Sequence, residues 1–374
     1  MLTPERQNEA SENRGPTRIV NSEKWGGPHF LGLILVVGVL FLVVSYFIAM
    51  FLGVTLFFFT SKGLVASRLH IQLFPVMLFA AIIFYVPVSI NVGLLFSVLW
   101  VIFLLCFFAA WRFRESLAKT VRNVIYHSPA DAFKNSLFAM PIISSIVLIL
   151  ALAITVLEAS GGIPTGTPPL PKDPFQDLLL LSLSPVIEEI GFRLTPIGTF
   201  LAVYLFFFRE AGKTPSSRTE RLKTSFLAFL LPDKAKKMAG ARNVSDSGVL
   251  RGITRVEWLI VVLTSLSFGL AHVLGGGWDI GKVASASVQG FALGLTYLLY
   301  GIQAPILLHW FFNYYSYTYI LSADVYPALS PLITLFDTVT FLFGVIGLLA
   351  LATVLINNIK KSRTERTTPV NPQV

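Results

Sequence analysis

The stretch FLGLILVVGVLFLVVSYFIAMFLGVTLFFF, Phe30 to Phe59, contains no Asp, Glu, Lys or Arg. A helix rises 1.5 Å per residue, so about 20 apolar residues cross the roughly 30 Å hydrocarbon core of a bilayer. This run is long enough. Outward from it, Leu73 to Trp111 and Asn135 to Leu157 are also free of charged side chains. Over all 374 residues 54% are hydrophobic and 13% charged, where soluble domains carry roughly 25% charge. The fold class that follows is all-α: a polytopic transmembrane helical bundle of about 8–9 spans enclosing an intramembrane polar cavity. A soluble enzyme, a secreted disulfide scaffold and a disordered hub are excluded. The single cysteine, Cys106, has no partner for a disulfide.

Spans are expected at 30–59, 72–90, 92–111, 135–157, 175–208, 258–275, 283–300, 303–321 and 331–356. They divide the chain into a polar arm 1–29, N-terminal helices 30–157, a core 175–321 interrupted by the loop 209–255, a last helix 331–356 and a basic tail 357–374. The arm is polar and charge-balanced, and the apolar run after it is far longer than that of a cleaved signal peptide, so the first span is expected to be retained.

Net charge is +9. The loop Arg209–Arg255 holds eleven Lys or Arg against four acids, and further bases lie in the link Arg112–Lys134 and in the tail. By the positive-inside rule the loop and the C-terminus are expected in the cytoplasm. A basic face against anionic lipid accounts for the charge, with the bilayer rather than nucleic acid as partner. Within the loop, Phe226–Leu231 is a short apolar stretch bracketed by basic residues, the pattern of a helix lying in the headgroup plane.

Ionisable groups inside a span are costly and are functional candidates by default. Asp177 and Asp337 lie near span ends and read as interfacial. Glu188, Glu189, Arg193, His272 and His309 do not. Glu189 and Arg193 are four apart, the spacing of an intrahelical ion pair with the acid on the favourable N-terminal side. Glu188 is turned about 100° from Glu189 and about 140° from Arg193, so it must find its partner on another helix. It is then the carboxylate free to take a proton. Pro185 and Pro196 bracket the cluster and disturb the helix near it. Phe268 and His272 share a helix face, and so do His309 and Asn313.

The ordered set Glu188-Glu189-Ile190-Gly191-Phe192-Arg193, Phe268-Gly269-Leu270-Ala271-His272 and His309-Trp310-Phe311-Phe312-Asn313 resembles the signature of the CPBP family of intramembrane proteases. That group contains the type II CAAX prenyl endopeptidase, or Ras-converting enzyme, and the bacterial Abi proteins. The resemblance spans roughly Phe175 to Leu321. It implies an endopeptidase that hydrolyses a peptide bond near the C-terminus of membrane-tethered substrates, prenylated CaaX chains among them. In that casting Glu188 and His272 activate water, Glu189 and Arg193 orient the site, and His309 and Asn313 stabilise the oxyanion.

Two alternatives stay open. No cofactor is expected, but Glu188, His272 and His309 could together hold zinc in a two-His, one-carboxylate site. The same polar cluster would also serve a non-proteolytic scaffold or transporter that binds a ligand or ion. One geometric difficulty accompanies every version. Counted from the basic-loop side, His272 lies about 21 Å into its span and His309 only about 9 Å, although they should meet at one depth. The run Phe175–Phe208 would be about 51 Å long as a straight helix, so a break is expected near the motif.

Overall fold

The computed structural model describes residues 27–80, 82–168, 171, 173–207 and 217–367, with side chains undescribed at 27, 28, 353–355 and 357–367. The N-terminal arm up to 26, the loop segment 208–216 and the chain from 368 onward lie outside the described residues. The chain forms a helical bundle in which seven helices are long and apolar enough to cross a membrane. It is an integral membrane protein.

Helix α1, Gly27–Phe59, carries the deciding apolar run. The short α2, Ser61–Ser67, follows. The expected span 72–90 is not a helix. It is an antiparallel hairpin of β1, His70–Leu78, and β2, Ile82–Asn91, with an irregular register between Ile71 and Leu73. The physical reason lies in residues that a hydropathy count ignores. Pro75 and Pro87 remove helix hydrogen bonds, and Val76, Ile82, Ile83, Phe84, Tyr85, Val86 and Val88 are the β-branched and aromatic types that suit a pleated strand. Phe79 and Ala80 turn the hairpin with positive φ values of 50° and 62°.

Helix α3, Val92–Arg112, returns antiparallel to α1. Trp100 Nε1 donates to the Met50 carbonyl at 3.0 Å, and Phe57 stacks on Phe96 with ring centroids 4.3 Å apart. After α4, Leu117–Tyr126, α5, Ser136–Ser160, joins the same core, its Ser144 hydrogen-bonding the buried Tyr46 hydroxyl of α1 at 2.9 Å.

The expected long span is continuous over Pro174–Phe207 but changes pitch within itself. It consists of α6, Pro174–Glu189, a π-helical segment, Ile190–Gly198, and α7, Thr199–Phe207. Pro196 has no N–H, so it can satisfy neither the Phe192 carbonyl in an α pattern nor the Gly191 carbonyl in a π pattern. The Gly191 carbonyl is taken instead by the backbone N–H of Ala80 at the hairpin tip, 2.9 Å away. Beside it, Phe79 N–H donates to Thr195 Oγ1 at 2.8 Å. The hairpin thus docks on the backbone that follows Glu188 and Glu189, with Met77 against Gly191. Thr195→Val is expected to release this tip. It removes an exposed hydrogen bond, at about 0.5–1.5 kcal/mol, and hydrogen exchange at Phe79 should quicken while exchange in α6 does not.

The described part of the basic loop is folded. In α8, Arg218–Leu230, Leu222, Phe226 and Leu230 form a stripe exposed at 55%, 68% and 42%. An exposed apolar stripe among Arg218, Arg221 and Lys223 is the pattern of a helix lying in the interface. Next come α9, Pro232–Met238, α10, Val244–Ser247, and α11, Val249–Gly252. Lys236 of α9 reaches both carboxylate oxygens of Glu257, at 2.8 and 2.9 Å, and the Gly252 carbonyl at 2.6 Å. Glu257 lies in the first turn of α12, Arg255–Leu274, and closes a capping box with Thr254.

Helices α12 and α13, Lys282–Tyr300, pack closely because small residues line the seam. A Cβ on Gly269 would collide with Ser287, and one on Gly290 would lie 3.1 Å from the Ser265 Cα. Gly301, at φ +100°, turns the chain sharply out of α13. The expected span 303–321 is a single helical run made of α14, Gln303–Trp310, a second π segment, Phe311–Tyr315, and α15, Ser316–Val325. The last helix, α16, spans Ser330–Thr367 and so takes in much of the expected tail.

Candidate active site

The motif-bearing helices α6, α12 and α14 converge on one cluster. Arg193 and Glu189 are both 0% exposed, and Arg193 Nη1 donates to Glu189 Oε1 at 3.0 Å. The pair anticipated from i, i+4 spacing therefore forms across the start of the π segment. Arg193 Nη2 donates to the Gly290 carbonyl at 3.1 Å, and its guanidinium lies 4.6 Å from the Phe268 ring centroid. A guanidinium this deep needs such partners on every side, because an unpaired buried charge is costly.

Glu188 behaves differently. It keeps 25% of its side chain exposed, and the basic group that faces it is on another helix, His309 Nε2, at 3.8 Å. The other ring nitrogen of His309, Nδ1, lies 2.8 Å from Glu189 Oε1. His309 thus stands between the two carboxylates. A carboxylate accepts, so Nδ1 carries the proton, and the nitrogen that faces Glu188 has an N–H only when the ring is an imidazolium.

His272 Nδ1 is 2.8 Å from the Phe268 carbonyl. A carbonyl only accepts, so Nδ1–H donates and Nε2 of the neutral ring keeps its lone pair. The depth difficulty eases here. Side chains lean toward the N-terminus of their helix, so the His272 ring folds back over the preceding turn, and the Phe268 ring touches both imidazoles, 4.8 Å from His272 and 5.7 Å from His309. Asn313, in the second π segment, donates through Nδ2 to Ser184 Oγ at 2.6 Å. Its second amide hydrogen stays available.

His309 holds Nδ1 against Glu189 and turns Nε2 toward Glu188, the arrangement of a metal-ligating histidine. The zinc alternative of Glu188, His272 and His309 thus keeps its ligand atoms, although among the described residues no three His, Cys, Asp or Glu are grouped as a metal site. Asp337 is exposed on α16. Asp177, in the first turn of α6, is buried and accepts a hydrogen bond from Tyr317 at 3.2 Å, so it joins α6 to α15.

Three neighbours of the site were not singled out in the sequence. Ser184 lies one turn before Glu188 on the same face, a spacing that could have revealed it. Trp278 sits 6.5 Å from the His272 ring, and Lys282 lies with Nζ 4.2 Å from the Trp278 ring centroid. Nothing local marks the last two, which a Gly-rich link brings back over the site.

No curated protein and no solved structure matches the chain. Residues 171–315, less than half of the chain but holding all three motifs, match the family model of type II CAAX prenyl endopeptidase Rce1-like proteins, and it is to this family that the cluster-bearing stretch is similar.

Proposed function

We propose that the protein is an intramembrane endopeptidase that cuts a peptide bond near the C-terminus of membrane-tethered substrates. The family match supports a CAAX-type membrane protease in general. The observation that favours the finer reading is the division of labour between adjacent carboxylates: Glu189 is sealed and doubly bonded, whereas Glu188 is accessible and lacks a hydrogen bond among the described residues. Glu188 takes a proton from water as the water oxygen adds to the substrate carbonyl, with the Nε2 lone pair of His272 as a second acceptor for that water. Charge developing on the carbonyl oxygen meets the N–H of an imidazolium His309 and the free amide hydrogen of Asn313. As the C–N bond breaks, Glu188 returns the proton to the departing amine.

Detergent-purified protein incubated with a lipidated C-terminal peptide should release a short C-terminal fragment detectable by mass spectrometry. Substrate-dependent flux in proteoliposomes without any cleavage would overturn the assignment in favour of transport. We further infer that the basic loop faces the cytoplasm. A cysteine placed at the exposed Ser247 should be labelled only from that side. His272 lies two residues from the far end of α12, so the same labelling also tells from which face a substrate enters.

A further inference from the structure

Lys282 is a cation left without a counter-charge at the edge of the site. It opens α13 and is half-buried. Among the described residues no carboxylate lies within 4.0 Å of its ammonium. Its ammonium lies over the face of Trp278, 4.2 Å from the ring centroid, and the Trp278 ring in turn lies 6.5 Å from the ring of His272.

The position is built rather than accidental. Trp278 is held by a bridge to Gly166. On one side the two loops are tied by Asp279 N–H to the Thr165 carbonyl and Gly281 N–H to the Pro164 carbonyl, each at 3.0 Å, and on the other by Thr167 N–H to the Gly277 carbonyl at 3.2 Å. A cation fixed over an aromatic face, without a carboxylate partner among the described residues and joined through that ring to the neighbourhood of His272, suits an anion that arrives with the substrate.

The reaction supplies such an anion. Cleavage near a C-terminus leaves the terminal carboxylate on the fragment beyond the broken bond. Ring-to-ring and ring-to-ammonium distances place Nζ within about 11 Å of the His272 ring, and an extended peptide advances about 3.3 Å per residue. That reach corresponds to a carboxylate up to roughly three residues past the bond.

We propose that Lys282 is a specificity residue that receives the terminal carboxylate of the substrate, so that free C-termini are selected over blocked ones. This rests on the proteolytic reading of the Glu188 cluster.

The test uses two lipidated peptides identical except that one ends in a free acid and the other in an amide. Cleavage is measured with wild type, Lys282→Met and Lys282→Arg, and binding is measured to each of these in a Glu188→Gln background. A charge-assisted hydrogen bond predicts that wild type favours the acid by about 10- to 100-fold in kcat/KM, the difference falling on KM. Lys282→Met should bring the acid down to the level of the amide, and Lys282→Arg should restore the preference. The acid-to-amide ratio is internal to each variant and is unaffected by folded yield. Equal handling of both peptides by wild type, or a preference that survives Lys282→Met, overturns the assignment while leaving proteolysis intact. An equal fall in kcat on both peptides overturns it too, in favour of action through Glu188. If neither peptide is cut but binding favours the acid and loses that preference in Lys282→Met, Lys282 keeps its role and proteolysis falls.

Discussion

Glu188→Gln is expected to lower cleavage by about 10²- to 10⁴-fold, the usual contribution of a positioned general base, and to leave thermal unfolding in detergent close to wild type. The two carboxylates differ in what else depends on them. Glu188 is partly exposed and hydrogen-bonded to no described residue, its closest approach being the 3.8 Å to His309. Gln preserves its shape, so little of the fold should notice. Catalysis should notice, because an amide cannot accept the proton of water and return it to the amine. If the Gln variant cleaves as fast as wild type, Glu188 is not the base, and the assignment of roles within the cluster fails with it.

Glu189→Gln is expected to do the reverse first, unfolding the protein before its chemistry can be measured. It strands Arg193, fully buried, with the Gly290 carbonyl and the rings of Phe268 and Phe192 but no counter-charge from Glu189. Breaking a buried pair by removing one partner costs about 3–5 kcal/mol. Arg193→Met should cost less than this, because Glu189 retains its contact with His309. Replacing both together, as Gln and Met, leaves no lone charge from the pair and should recover much of the folded yield, while activity stays low because His309 has lost its carboxylate anchor. Thermal unfolding of the two single variants and the double decides the matter. Strictly additive losses in the double would mean that Glu189 and Arg193 do not act as a pair.

Much of this was legible before any coordinates. Long uncharged runs located the helices, because lipid admits little else, and i, i+4 spacing exposed the Glu189–Arg193 pair. The run 72–90 was misread because hydropathy does not distinguish a helix from a hairpin, and Pro75 and Pro87 were the signals to weigh. The position of His309 between both carboxylates was not legible, since it depends on how α14 crosses α6. Nor was the place of Lys282. In sequence it reads as an ordinary helix start, and only the pairing of 277–281 with 164–167 carries it to the site.

The hairpin imposes an order of assembly. Its strands are made early, but the carbonyl of Gly191 and the hydroxyl of Thr195 that receive its tip belong to residues synthesised more than 100 positions later. Until those arrive, the backbone N–H groups of Phe79 and Ala80 at the tip lack their partners, and a lone two-stranded ribbon is at best marginally stable. The catalytic helix is therefore a template for a segment that precedes it in the chain, and the ribosome must have passed Thr195 before the first quarter of the molecule can take its final form.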